Sequence, residues 1–311
     1  MKTNISLILI LCLLLGACKN GNASSQSKSE TPQDTIKAIK MPAIPQMMTA
    51  PEQRADFLAK HYWDNVNFAD TNYIHHPEVT EQAWADYCDL LNHVPLETAQ
   101  QAMRNVIDRT NVDKKVFTYI TDLADKYLYD PNSPMRNEEF YIPVLEAMIA
   151  SPVLNETEKI RPQARLKLAQ KNRIGTKALN FTYTLASGAQ GSLYQLKAEY
   201  LLLFSNNPGC QACTETIEGL KNAPIINQLL QEKKLVLLSI YPDEELDEWK
   251  KHLSEFPNEW INGYDKKFTI KEEQVYDLKA IPTLYLLDKD KTVLLKDATA
   301  PAIEAYLMQH Q

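Results

Sequence analysis

The chain has 311 residues, 44% hydrophobic and 23% charged, which is ordinary usage for a soluble protein and enough for two domains that each bury a core. Lys and Arg total 33 against 40 Asp and Glu, so the net charge is −7, a surface that repels phosphate and argues against nucleic-acid binding as the main activity. With 8 Gly and 5 Cys the chain is neither collagen-like nor a dense disulfide scaffold, and a mean hydropathy of −0.36 excludes a multi-span membrane protein.

Residues 1–17 read as a signal peptide. Lys2 supplies a positive start, and Ile5 to Leu15 is nearly unbroken apolar sequence, too short to span a bilayer but suited to a secretory signal. Leu15-Gly16-Ala17-Cys18 resembles a bacterial lipobox, which implies cleavage before Cys18 and lipid attachment to its sulfur. Cys12 leaves with the signal. Residues 18–48 are rich in Ser, Asn, Gln, Lys and Pro without apolar periodicity, and predict a disordered tether. Lipoproteins of some gut Gram-negative bacteria carry an acidic run after the lipidated Cys as a surface-export signal. None follows Cys18, so the expected location is the cell envelope, lipid-anchored in the outer membrane and facing the periplasm.

Residues 49–172 predict a helical domain. Thr49 with Pro51-Glu52, Thr80-Glu81, and Pro95-Leu96-Glu97 are helix openings, and 113–129, 137–150 and 155–171 are further helices. Pro131-Asn132-Ser133-Pro134 predicts a turn. Phe57, Trp63, Trp84, Tyr87, Phe117, Tyr127 and Tyr141 fall at helical spacing and read as core. No repeat supports a solenoid. His75-His76 with Glu78 suggests a loop or cap before a metal site, and Cys88 a buried structural residue.

Residues 173–311 change to a strand-and-helix rhythm. Strands are expected at 179–185, 199–204 and 235–240, with a turn at 187–191. The second and third are continuously apolar, as in a sheet covered on both faces. Helices are expected at 210–230, 244–253, 269–276 and 300–308, and a hairpin joins 283–287 to 292–296. The alternation with a terminal antiparallel hairpin predicts a mixed α/β sheet flanked by helices.

The chemistry centres on Cys210-Gln211-Ala212-Cys213, placed after a buried strand and an Asn-Asn-Pro-Gly turn, where a helix opens. Two intervening residues at a helix start let the sulfurs reach bonding distance. Unpaired amides and the helix dipole would favour the thiolate of Cys210, while Cys213, one turn in, would be sheltered and resolve. Such a pair performs thiol–disulfide exchange. A zinc site needs a second ligand pair, and His252 and His310 lack the spacing; Thr214 stands where haem attachment needs His; Asn207 stands where a peroxiredoxin-like site wants Thr. No metal or cofactor is expected. The competing reading is a structural disulfide in a non-catalytic envelope-binding lipoprotein.

On these residues the segment from about 174 onward resembles the thioredoxin-like domain of membrane-anchored thiol–disulfide oxidoreductases of the TlpA/ResA type. Gly175, Phe181 to Leu185 and Gly191-Ser192-Leu193 resemble that family's extra N-terminal hairpin, Cys210 to Cys213 its redox motif, and Ala280-Ile281-Pro282-Thr283 its cis-proline segment. The resemblance implies a thioredoxin-like fold, a cis Ile281–Pro282 bond with Ile281 and Pro282 binding a substrate chain, catalytic Cys210 and Cys213, protein disulfides as substrates and a membrane electron donor for re-reduction. Pro224 resembles the proline that kinks the helix after the cysteines. The family's Trp before the first Cys is replaced here by Pro208-Gly209 and its internal Pro by Ala212, and no buried carboxylate is evident; Glu215 and Glu218 read as solvated. The helical half, through His61 to Asn65, Tyr73 to Glu78, Tyr127 to Pro134 and Arg161-Pro162, resembles an uncharacterised helical domain that precedes thioredoxin-like domains in gut bacterial lipoproteins, a resemblance that carries no activity.

Overall fold

The structure is a computed structural model and describes residues 38–310. The expected signal peptide, the lipidation site Cys18 and most of the expected tether lie outside the described residues. None of the described helices is long and apolar enough to cross a membrane.

The helical part contains α1 Pro51–His61, α2 Pro77–Leu91, α3 Leu96–Arg109, α4 Lys114–Ala124, α5 Glu138–Ala150 and α6 Glu156–Ala169. Asp113 and Asn137 cap α4 and α5 through side chains that accept first-turn amides, and Asn155 with Glu158 forms a reciprocal capping box on α6. Two openings differ from expectation. Thr49 does not cap α1, whose N-cap is Ala50, and α2 begins at Pro77 rather than at Thr80, because a proline at the first helical position loses no intrahelical bond. Thr80 instead donates its hydroxyl to the Tyr73 carbonyl at 2.7 Å, and His76 is the residue before the helix. Trp63, Trp84, Tyr87, Met103, Ile107, Phe117, Tyr141 and Leu145 form the core, with Cys88 among them. The end of the expected tether also belongs to this part: Ile39 packs on the core and the Lys40 carbonyl accepts from Asn65 Nδ2 at 2.9 Å.

The second part is a seven-stranded mixed sheet in the order β2-β1-β5-β4-β3-β6-β7. The strands are β1 Thr182–Leu185, β2 Gln190–Ser192, β3 Tyr200–Ser205, β4 Leu235–Tyr241, β5 Ile261–Tyr264, β6 Thr283–Asp288 and β7 Val293–Lys296. Parallel β3, β4 and β5 form the centre, and β1, β6 and β7 add antiparallel. Period-two alternation sends Leu202 and Phe204 of β3 into one core layer and Leu201 and Leu203 into the other, which is why the strand is apolar throughout. The first layer lies under α7 Gln211–Lys221, α8 Pro224–Gln231 and α11 Ala300–Gln309. The helices α9 Leu246–His252 and α10 Thr269–Glu272 complete the part.

The single helix expected over 210–230 is two helices. Pro224 does not kink it but starts α8, with Asn227 Nδ2 donating to the carbonyls of Leu220, Lys221 and Ala223 that the break leaves open. The Glu304 carboxylate accepts the Ile225 and Ile226 amides at the other side of the break, at 2.6 and 3.0 Å. Residues 179–181 stay outside β1, with the Leu179 amide donating to Asn172 Oδ1 at 2.7 Å, while Gln190 and Gly191 are strand rather than turn. The helix expected over 269–276 stops at Glu272.

Candidate functional site

Strand β3 ends at Ser205, and Asn207-Pro208-Gly209-Cys210 turns the chain into α7, with the Cys210 amide donating to the Asn207 carbonyl at 3.4 Å. Proline at the second and a glycine of φ 70° at the third position suit a type II turn, whose third residue needs the left-handed region. A Trp at Gly209 would be strained on this backbone.

Cys210 is the N-cap of α7, with extended backbone at φ −80° and ψ 118°, and its Sγ accepts the Cys213 amide at 3.4 Å. The sulfur therefore occupies the place where Ser or Asp usually satisfies a first-turn donor. On its other side, Sγ lies 3.8 Å from the Ile281 carbonyl, to which the thiol donates. Cys210 is half-buried, whereas Cys213 is 2% exposed. Burial pushes the Cys213 thiol up to about 12; the Asn207 backbone amide facing it works the other way, and the Cys210 sulfur adds to the rise. Both residues, like Cys88, are free thiols.

The Ile281–Pro282 peptide bond is cis, and Thr283 opens β6 directly after it, paired with Ser205 of β3. Among the described residues the Ile281 amide has no hydrogen-bond partner. The structure thus brings Cys210, Cys213, Ile281 and Pro282 to one end of the sheet. Glu215 and Glu218 are exposed, as expected from their spacing. Behind the motif the buried polar pair is neutral, Asn206 Nδ2 donating to Ser239 Oγ at 2.7 Å.

A groove of about 520 Å³ opens from this end, lined by Ala212, Glu215 and Thr216 of α7, by 280–284 and 297–301, and by Pro131, Asn132 and Arg136 of the helical part. Adjoining it, through Arg136 and Asp297 of its lining, is a cluster of charged side chains that sequence reasoning missed. Glu138 pairs with Lys296 and, at 3.4 Å, with Lys279; Lys279 also meets Asp277 at 2.8 Å and Asp297 at 3.6 Å. Burial lowers the Lys279 pKa, but Asp297, Glu138 and Asp277 outweigh it and hold it above the ordinary lysine value. Arg136 Nη2 donates to the Asp297 carbonyl at 2.8 Å. The cluster gathers three separate stretches of the chain, around Glu138, Lys279 and Lys296, and no local pattern in the sequence joins them.

A dithiol motif at the head of a helix, facing a cis-proline loop at one end of a mixed sheet, defines a thioredoxin-like protein. Residues 17–172 match the model of a domain of unknown function (DUF5106), and residues 198–293 match that of the thioredoxin-like family. The chain is 83% identical to a thioredoxin-like protein from Bacteroides caccae, over 89% of this chain and 100% of that one, with a TM-score of 0.87. It belongs to the DUF5106 family and, through its second part, to the thioredoxin-like family. The C-terminal domain of an uncharacterized protein from Bacteroides fragilis is 69% identical over 44% of this chain and 98% of that one, with a TM-score of 0.44. The thioredoxin domain of a thiol-disulfide oxidoreductase from Bacteroides vulgatus is 19% identical over 44% of this chain and 97% of that one, with a TM-score of 0.40. No curated protein matches the chain.

Proposed function

We propose that this protein is a thiol–disulfide oxidoreductase, lipid-anchored through Cys18 and facing the periplasm, that reduces disulfides in exported proteins. The observation that carries the reading is the pairing of a reachable Cys210 sulfur at a helix N-cap with a buried Cys213 one turn away, beside the Ile281 carbonyl. The Cys210 thiolate attacks one sulfur of a substrate disulfide, breaking that bond, forming a mixed disulfide and releasing a substrate thiolate that takes up a proton. Cys213 then loses its proton and attacks Cys210, closing the Cys210–Cys213 disulfide and releasing the second substrate thiolate. Two electrons and two protons pass to the substrate, and a membrane-borne dithiol donor restores the pair. The half-buried outer sulfur suits the attacking role and the sheltered inner one the resolving role.

The test is insulin reduction, coupled to dithiothreitol, by the chain without residues 1–18 beside its Cys210→Ser variant. Turnover that the substitution abolishes supports the reading. Its absence from both proteins, with sulfurs that resist alkylation after reduction, overturns it in favour of a structural motif. Anchoring is tested separately, by incorporation of a labelled fatty acid in cells and its loss in Cys18→Ser.

A further inference from the structure

The loop between α4 and α5 belongs to the helical part, yet Pro131, Asn132 and Arg136 line the groove that opens at Ala212, Ile281 and Pro282. The two walls are tied together. Arg136 on one wall donates to the Asp297 carbonyl on the other at 2.8 Å, and its guanidinium lies 3.9 Å from the Asp297 carboxylate. Glu138, two residues beyond Arg136, reaches Lys279, three residues before Pro282, and Lys296 beside Asp297. Those side chains are only 6–12% exposed. Lys279 also lies over the Tyr129 ring, 5.0 Å from its centre, just before the loop. Charges paired in such a setting fix geometry, because parting them leaves a desolvated ion without its partner. The groove is therefore built in advance, by both parts of the chain.

Its lining is mixed. Asn132 and Arg136 carry donors, Glu215 a carboxylate, Thr216 and Thr299 hydroxyls, and Ile281, Pro282 and Pro301 apolar surface. That mixture of donors, acceptors and apolar surface suits a polypeptide segment, which offers amides, carbonyls and side chains together, and Ile281, whose amide has no partner among the described residues, is one of the lining residues. Neither cysteine of the motif lines the groove, so a small disulfide that meets the half-buried Cys210 sulfur has no need to enter it.

Resting on the oxidoreductase reading, we infer that the helical part is a specificity element. Its Pro131–Arg136 loop forms the outer wall of a groove that holds the polypeptide segment flanking the substrate disulfide, so that protein disulfides are selected over small ones.

Asn132 is the residue to test, because it is exposed and its structural bond comes from its backbone, the amide donating to Asp130 Oδ1 at 2.8 Å. Asn132→Trp fills the groove and Asn132→Ala opens it, in the chain without residues 1–18. Each is assayed with insulin and with 5,5′-dithiobis(2-nitrobenzoate). The expected result for Asn132→Trp is a loss of about tenfold in kcat/KM for insulin, with the small disulfide reacting within about twofold of the parent and so reporting an intact site. Insulin reduction unchanged in Asn132→Trp overturns the groove while leaving the oxidoreductase reading in place, and an equal fall with both disulfides overturns it as well, since the loop would then act on the sulfurs. A parent protein that reduces neither disulfide removes the oxidoreductase reading itself.

Discussion

The Cys210 sulfur and the Ile281 carbonyl oxygen stand 3.8 Å apart although 71 positions separate them in the chain. The sheet brings them together: β3 and β6 pair antiparallel with Ser205 opposite Thr283, so the turn that leaves β3 and the loop that enters β6 meet at one end. A dithiol and an accepting backbone edge are thus placed by the register of two apolar strands. Any slip in that register would part them.

The charged cluster that adjoins the groove gives a stability prediction. Lys296 is 6% exposed and finds the Glu138 carboxylate and the Lys171 carbonyl, the latter at 2.8 Å. Glu138→Gln keeps the shape but leaves the lysine charge without its carboxylate, at an expected cost of about 3 kcal/mol. Adding Lys296→Met removes the stranded charge and should recover part of that loss. Urea unfolding of the parent, the single and the double variant measures both; a double variant less stable than Glu138→Gln contradicts the account.

Two glycines beside Tyr183 should differ in what they tolerate. A methyl group at Gly263 on β5 would meet Tyr183 Cδ2 at 2.9 Å and its Cβ at 3.2 Å, atoms close to the backbone that cannot swing aside. At Gly191 on β2 the collision is with the far end of the same ring, at 2.6 Å from Cζ and Oη, which a small rotation relieves. Gly263→Ala should cost about 1–3 kcal/mol and Gly191→Ala less. Thermal unfolding ranks them, and the reverse order would mean that the ring is held at its tip.

The contrast between legible and illegible features follows from how local each signal is. The helix starting at Asn155 was legible from a short stretch of sequence, and β3 announced its two covered faces in an unbroken apolar run. The motif at Cys210 to Cys213 stood at the start of a helix, as its setting implied, and Ile281-Pro282 lay across from it. Strand β5 went unread because Ile261-Asn262-Gly263-Tyr264 has neither alternation nor an apolar run; its place depends on β4 on one side and β1 on the other. Pro224 marked an interruption of the helix, but that it is a full break with a new helix start was not local, since the Glu304 carboxylate that accepts the Ile225 and Ile226 amides comes from the last helix. Pro131 to Pro134 read as a turn, and only the folded chain sets that turn against the groove.

The two sulfurs of the motif predict a difference in alkylation that depends on pH. Iodoacetamide reacts with thiolates, so the rate at each cysteine follows its ionised fraction and its access. Cys213 is 2% exposed and its thiol is pushed up to about 12 by burial, against about 8.5 for a free cysteine, which leaves on the order of one thiolate in 10⁴ at pH 8. Cys88 is buried as well, and its thiol is raised by the same cause. In the reduced native protein at pH 8, label should therefore enter the half-buried Cys210 first, with Cys213 and Cys88 slower by orders of magnitude and the Cys213 rate climbing about tenfold per pH unit toward 12. The sign for stability follows from the same shift. Below about 8.5 the thiol is protonated folded or unfolded, and above it the unfolded chain ionises while the folded one does not, so the stabilisation is lost as pH rises toward 12. Mass spectrometry of peptides after timed labelling reads the order directly. Equal early labelling of Cys210 and Cys213 would mean that the inner sulfur is not sheltered, and the division between an attacking and a resolving cysteine would fall with it.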